Sequence, residues 1–199
     1  MKKLLLILTF ALSICALSNS NKVTKPSKFL LREIIPDKTE MGEMMPSDKY
    51  MNYLYENAHR TYLEVYKNNK WDNQKVKNYN EKNDKIKVTY YYSKNKLGKI
   101  VKEVTGKKGQ ELEIYYLKGK EPFFAIFKYL PYNEIREENI EQIIKNQQEP
   151  VHTLDYYFVD NKLFHIFDSE DCGAPLKEEY LKEAEKGFRK EFNLLVSKQ

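Results

Sequence analysis

The spacing of the hydrophobic residues changes twice along the 199-residue chain. In the first region, residues 47–68 carry apolar side chains at helical intervals behind a Ser47 cap, among them Met51, Leu54 and Val65. This spacing predicts an amphipathic N-terminal helix. The next stretch, residues 71–84, is rich in Asn, Lys and Asp, which favour turns and solvent, and is therefore predicted to be a loop.

From residue 85 the period becomes two, which is typical of strands with one buried face. Apolar and polar residues alternate in two runs, one with Ile86, Val88, Tyr90 and Tyr92, the other with Leu112, Ile114 and Tyr116. Residues 97–104 predict a further strand. Residues 123–130 are apolar on both faces, so we place them near the centre of the sheet. Glu111 and Glu113 are expected to lie on an exposed polar face.

Residues 153–168 predict a hairpin, because Asp160 and Asn161 both tolerate the positive φ that a two-residue turn requires. The predicted cross-strand pairs are Val159 with Lys162, Phe158 with Leu163, Tyr156 with His165, and Leu154 with Phe167. His165 would then lie on an apolar face. We interpret it as a packed, half-buried histidine rather than as a catalytic group or a metal ligand.

The helical period returns after residue 175. Pro175 suits the first position of a helix, and one apolar stripe follows, made of Leu176, Tyr180, Leu181, Ala184, Phe188, Phe192 and Leu195. A helix packed on the sheet is the simplest interpretation, and a partner-binding helix is the alternative. A shorter helix is predicted within residues 133–148, where isoleucines recur behind an Asn133 cap.

These patterns together predict an α+β fold: an antiparallel β-meander of about five to seven strands, with an N-terminal helix, a short inserted helix and a C-terminal helix packed on the sheet. Residues 47–199 would form a single domain. Residues 19–46 are interpreted as a linker or edge segment, because they contain three prolines and one short apolar run at 29–35. That run suits an edge strand or a docking segment.

A weak internal repeat runs through the sheet region. Two tyrosines, a short spacer and then Asn or Gly with Lys occur at residues 91–96, at 115–120 and, after the inserted helix, at 156–162. Tyrosine-pair hairpins of this kind resemble the MORN-like β-meanders of uncharacterised exported bacterial proteins. The resemblance covers roughly residues 85–168 and implies a meander, without a defined activity.

The first 18 residues predict a secretory signal peptide: two lysines, an apolar run to about Ala16, and small residues before a cleavage site at Asn19. Cys15 is a possible lipidation site, although the bulky Ile14 departs from a lipobox. The apolar run is short for a membrane span, and no later stretch reaches the required length of about 20 residues. The expected location is the periplasm, the cell surface or the extracellular medium. Cys172 is then either buried, free or paired with another molecule.

Charge is unevenly distributed, although the net charge is only +5, too small to indicate a nucleic-acid binder. Residues 67–128 carry sixteen basic and seven acidic side chains, whereas residues 132–199 carry nine and fifteen. We therefore predict a basic, tyrosine-bearing surface for an anionic envelope polymer or another envelope protein. Its candidate residues are Lys94, Lys96, Lys99, Tyr90 and Tyr91. The alternative is a solvated edge protected by lysines.

No phosphate-binding loop, nucleophile elbow or metal-ligand spacing occurs in the sequence. The sequence therefore predicts no catalytic residue, no metal and no cofactor. The function it favours is an exported, non-catalytic binding or scaffolding module of the cell envelope. The alternative is a secreted or periplasmic hydrolase that uses carboxylates or a histidine.

Overall fold

In the part of the chain that the structure describes, seven strands form one antiparallel sheet in which each strand pairs with the next strand in sequence. The structure is a computed structural model, and it describes residues 25–33, 53, 56–57, 59–63, 70–135, 137, 140, 152–170 and 176–199. The strands are β1 (Asn73–Glu81), β2 (Asp84–Ser93), β3 (Lys96–Thr105), β4 (Gly109–Lys118), β5 (Glu121–Pro131), β6 (His152–Val159) and β7 (Lys162–Asp168). The predicted antiparallel meander is confirmed.

The first strand, β1, corrects the prediction of a loop at residues 71–84. All nine of its residues pair with β2, and the two strands are joined by a two-residue turn at Lys82 and Asn83. Every residue of β1 except Tyr79 is exposed. An outer strand with solvent on both faces needs no alternating apolar residues, so the hydrophobic period could not reveal it.

The C-terminal helix spans Glu178–Ser197 and buries Phe188, Phe192 and Leu195 against the sheet. The predicted packing of this helix is confirmed, whereas Pro175 lies outside the described residues. Within the predicted N-terminal helix, residues 53, 56–57 and 59–63 have helical backbone. Within the predicted inserted helix, Tyr132–Glu134 form a 3₁₀ turn and residues 137 and 140 are helical. The full extents of these two predicted helices lie outside the described residues.

The sheet has an apolar core on each face. We call the side under the C-terminal helix the helix face, where Val88, Ile100, Tyr115 and Phe158 are buried with the helix residues Phe188 and Phe192. The opposite side is the strap face, named after residues 25–33, which pack on it as a strap. There the buried residues of the sheet, including Ile114, Tyr116 and Phe124, pack against Leu30, Leu31 and Tyr62. The sheet is therefore the middle layer of three.

The internal repeat corresponds to three similar hairpins. Each has a two-residue turn, and in each the register shifts once, so that one residue of the second strand bulges: Gly98, Phe123 and Phe164. By this register the equivalent tyrosines are Tyr91, Tyr116 and Tyr157, 25 and 41 residues apart. The spacing of 24 residues read from the sequence is therefore off by one, because the first copy contains three consecutive tyrosines.

Each tyrosine pair spans the sheet, because adjacent residues of a strand point to opposite faces. Tyr90, Tyr115 and Tyr156 belong to the core of the helix face. On the strap face, Tyr116 and Tyr157 belong to the core, and Tyr91 contacts Trp71. The repeat therefore supplies one aromatic ring to each face of every hairpin.

The bulge at Phe164 also corrects the predicted register of the last hairpin. The turn at Asp160 and Asn161 has positive φ at both residues, and Val159 faces Lys162, as predicted. Beyond the bulge, His165 pairs with Tyr157 instead of Tyr156. The predicted Leu154–Phe167 pair is wrong for the same reason, since one extra residue shifts every later pair and exchanges the faces of the sheet.

Candidate functional site

The structure separates the residues of the predicted basic surface. Tyr90 is fully buried on the helix face, where its hydroxyl donates a hydrogen bond to the carbonyl oxygen of Leu195 at 2.9 Å. Lys99 is buried on the strap face. Neither side chain is therefore exposed to solvent while the helix covers Tyr90 and residues 25–33 cover Lys99. Tyr91 is half-buried beside Trp71, whereas Lys94 and Lys96 are exposed.

The ammonium of Lys99 is surrounded by three aromatic rings and one carboxylate. Its Nζ atom is 4.7 Å from the ring centroid of Tyr91, 5.8 Å from that of Trp71 and 5.9 Å from that of Tyr116. The same atom lies 3.0 Å from Oε2 of Glu33. Ring faces and a carboxylate both stabilise a cation that has been removed from water. Lys99 is thus part of the packing of the strap face.

Lys94 and Lys96 belong to a longer row of lysines at one end of the sheet. Strands β2, β4 and β6 run in the same direction, so the hairpin turns that follow them lie side by side at this end. The lysines of these turns are all exposed; they are Lys94, Lys96, Lys118, Lys120 and Lys162. We call these five residues the lysine row.

The geometry of the row follows from the sheet. Adjacent turns are two strands apart, which is about 10 Å, so the row spans about 20 Å across the sheet. Nearby acids are partly engaged: Asp72 accepts a hydrogen bond from the Lys94 backbone N–H, and Glu121 is paired with Arg189 at 2.7 Å. Asp160 also lies in the third turn. The row can therefore present positive charge along a line.

The sequence contained the signal for this row. Each of the three copies of the tyrosine repeat has at least one lysine in or beside the turn. The antiparallel order of the strands then places the turns at one end, which neither composition nor local charge could show. The predicted surface did not include Lys118, Lys120 and Lys162, because charge counted along the sequence does not show which turns share one end of the sheet.

The histidines of the last hairpin lie on opposite faces of the sheet. His165 is on the strap face beside Tyr157 and Phe164, and burial lowers its pKa. His152 lies across from Tyr129 on the helix face, and its Nε2 atom is 2.8 Å from Oδ1 of Asp168. The two imidazoles cannot share a metal ion. Aspartate can orient an imidazole for proton transfer, so His152 is the better placed of the two for general-base chemistry.

Several ionisable groups are buried as parts of the cores. Lys102 contacts Glu113 and Glu191 under the C-terminal helix. Glu113 is buried, which corrects the prediction that it lies on an exposed face. On the strap face, burial raises the pKa of Asp155 to about 7, although Lys128 opposes this shift.

Among the described residues, no group of three or more His, Cys, Asp or Glu side chains is arranged to hold a metal ion. Within the same part of the chain, no helix is long and apolar enough to cross a bilayer. Cys15 and Cys172 lie outside the described residues, so the predictions made for them stay predictions. No family model, curated protein or solved structure matches the chain.

Proposed function

We propose that the protein is an exported, non-catalytic module of the cell envelope that binds a linear anionic polymer through the lysine row. The observation that carries this proposal is the alignment of three lysine-bearing turns at one end of the sheet. A row about 20 Å long and one sheet thick suits a chain of repeated negative charges. Lysines on flexible stems can follow such a chain without a rigid pocket.

The binding mode predicts a strong dependence on salt, because each polyanion contact releases counterions. Five contacts imply a slope of about −3 to −4 in a plot of log affinity against log salt concentration. A fourfold increase in salt should then lower affinity about a hundredfold. Titration with a soluble poly(glycerol phosphate) at about 50 and 200 mM salt measures this slope.

A matched pair of double variants tests the location of the site. K96E/K118E reverses two charges of the lysine row, whereas K107E/K108E makes the same charge change in a turn at the opposite end of the sheet. We expect the first pair to weaken polymer binding at least tenfold and the second to change it less than threefold. Equal losses in both variants, or binding that is insensitive to salt, would overturn the proposal.

Export is the second part of the proposal and has its own test. The signal-like segment at residues 1–18 supports secretion, with a mature chain that begins near Asn19. Intact-mass measurement of protein recovered from the envelope fraction determines the first residue of the mature chain. A mass that retains residues 1–18 contradicts cleavage at that site, and a lipid adduct on Cys15 would instead indicate an anchored lipoprotein.

A hydrolase is the second candidate, and the contact between His152 and Asp168 is the observation that favours it. Both side chains are partly exposed, so a substrate could approach the imidazole. The test is to incubate the envelope polymer with the wild-type protein and with the His152→Ala and His165→Ala variants. Polymer fragments released by the wild type and by His165→Ala, but not by His152→Ala, would establish the hydrolase. No release in any sample supports the binding module.

A further inference from the structure

The strap, which we define as residues 25–33, is held on the sheet by contacts that a separate peptide could also make. The side-chain amide of Gln110 is almost fully buried. Its Oε1 atom accepts a hydrogen bond from the backbone N–H of Leu30 at 2.6 Å, and its Nε2 atom donates one to the carbonyl oxygen of Lys28 at 2.8 Å. Both bonds engage the backbone of the strap, so they do not depend on its side chains.

Two adjacent apolar residues fix the position of the strap. Leu30 and Leu31 are 4% and 5% exposed, and they share one core with residues of β4 and β5. Both leucines are removed from water, so they anchor the segment on the sheet. Arg32 follows the two leucines and is exposed, so an apolar side chain is not required at this position.

An acidic residue completes the pattern. One carboxylate oxygen of Glu33 lies 3.0 Å from Nζ of Lys99, and the other accepts a hydrogen bond from the Tyr116 hydroxyl. Lys99 is only 7% exposed, and an unpaired ammonium at such a depth is costly. This end of the groove therefore requires a carboxylate from whatever occupies it.

We propose that this groove is a binding site for a partner peptide with two adjacent apolar residues, one intervening residue, and then Glu or Asp, and that the strap is its resident occupant. The groove itself defines the chemistry of the partner: Gln110 forms hydrogen bonds with the peptide backbone, the core accommodates two apolar side chains, and Lys99 pairs with the carboxylate. A partner peptide would displace the strap. This inference is independent of the lysine row, which lies at the end of the sheet.

The test uses the full mature chain with the single substitution Glu33→Gln, which removes the charge of this side chain and nearly preserves its size. Trp71 is the only tryptophan of the chain, and it lies against Lys99, so its fluorescence reports the occupancy of the groove. Two synthetic peptides are compared: KPSKFLLRE, the sequence of residues 25–33, and the same peptide ending in Gln.

We expect the Glu peptide to bind Glu33→Gln at least tenfold more tightly than the Gln peptide. In the double variant Glu33→Gln/Lys99→Met, this difference should fall below threefold, because the cation that reads the carboxylate is gone. The variant Leu31→Asp provides a second full-length chain in which the apolar anchor of the strap is lost. Denaturant unfolding and circular dichroism verify that all variants are folded.

Three results would overturn the proposal. One is equal binding of the two peptides to Glu33→Gln. Another is no saturable change in Trp71 fluorescence with either peptide on both Glu33→Gln and Leu31→Asp. The third is a peptide-free chain that dimerises with increasing concentration through the groove, because this would assign the groove to the strap of a second copy.

Discussion

The ammonium of Lys102 lies 2.9 Å from a carboxylate oxygen of Glu113 beneath the C-terminal helix. A carboxylate oxygen of Glu191 on that helix is 2.7 Å from the same nitrogen. Burial alone lowers the pKa of Lys102, but the two carboxylates outweigh burial, and the pKa is raised well above its ordinary value. Lys102 therefore joins the helix to the sheet as a charged group.

Replacement of Lys102 by Met should destabilise the protein by about 3 kcal/mol, because Glu113 would be left buried without its cation. The double variant K102M/E113Q should be less destabilised than K102M, since the uncompensated charge is removed. Urea unfolding of the three proteins measures both effects. A loss below about 0.5 kcal/mol in K102M would contradict the structural role of this pair.

Two glycines provide a matched pair, because substitution to Ala should lower the stability of the protein at one of them and raise it at the other. Neither Gly119 nor Gly187 has an atom within 4 Å of the position a Cβ would take. Gly119 has φ of +73°, so Ala should destabilise the turn by about 1 kcal/mol. Gly187 lies inside the C-terminal helix, where Ala should stabilise by about 0.5–1 kcal/mol. Thermal unfolding of the two variants checks the signs.

The Tyr90 hydroxyl should contribute about 1 kcal/mol to the free energy of unfolding, because it is buried and donates to the Leu195 carbonyl near the end of the C-terminal helix. Tyr92 provides the control, since its hydroxyl contacts Gln199 at 3.3 Å in an exposed setting. We expect Tyr90→Phe to lower stability measurably and Tyr92→Phe to leave it within about 0.3 kcal/mol. Equal effects would show that the buried hydrogen bond contributes nothing specific.

Asp155 should make the protein less stable as the pH rises. Burial raises its pKa from 3.8 to about 7, so the folded state holds a proton that the unfolded chain has already released. The contribution of this group to stability therefore decreases between about pH 4 and pH 7. Between about pH 5 and pH 8, the free energy of unfolding of the wild type should decrease by about 2–3 kcal/mol more than that of the Asp155→Asn variant. Urea unfolding at both values is the measurement, and parallel losses would contradict the shift.

Sequence patterns were sufficient to predict the strands and the helix that bury one face and expose the other. The alternation at Ile86, Val88 and Tyr90 predicted β2, and the stripe through Phe188 and Phe192 predicted the C-terminal helix. The outer strand β1 was missed because nearly all of its residues are exposed, which leaves no period to detect. The bulge at Phe164 was missed because an extra residue changes the register without changing the composition of the hairpin.

The candidate site depended on distant contacts, which local patterns do not contain. Tyr90 is buried by a helix residue 105 positions later in the chain, and Lys99 is paired with Glu33, 66 positions earlier. The alternation predicted a buried face for Tyr90 but not the helix that covers it, and nothing near Lys99 in the sequence indicated that this lysine would be buried. By contrast, Lys94 and Lys96 were predicted correctly as exposed, because turns lie at the surface.

The order of the strands has a consequence for how the chain folds. Every strand pairs with its neighbour in sequence, so most of the sheet can form through closure of short loops, which costs little entropy. The C-terminal helix is different, since its residues pack on strands from β2 to β7. During synthesis from the N-terminus, the chain can therefore form its hairpins in order. The helix face stays exposed to solvent until Glu178–Ser197 have been synthesised. Premature truncation near residue 178 would leave a paired sheet with one uncovered, aggregation-prone face.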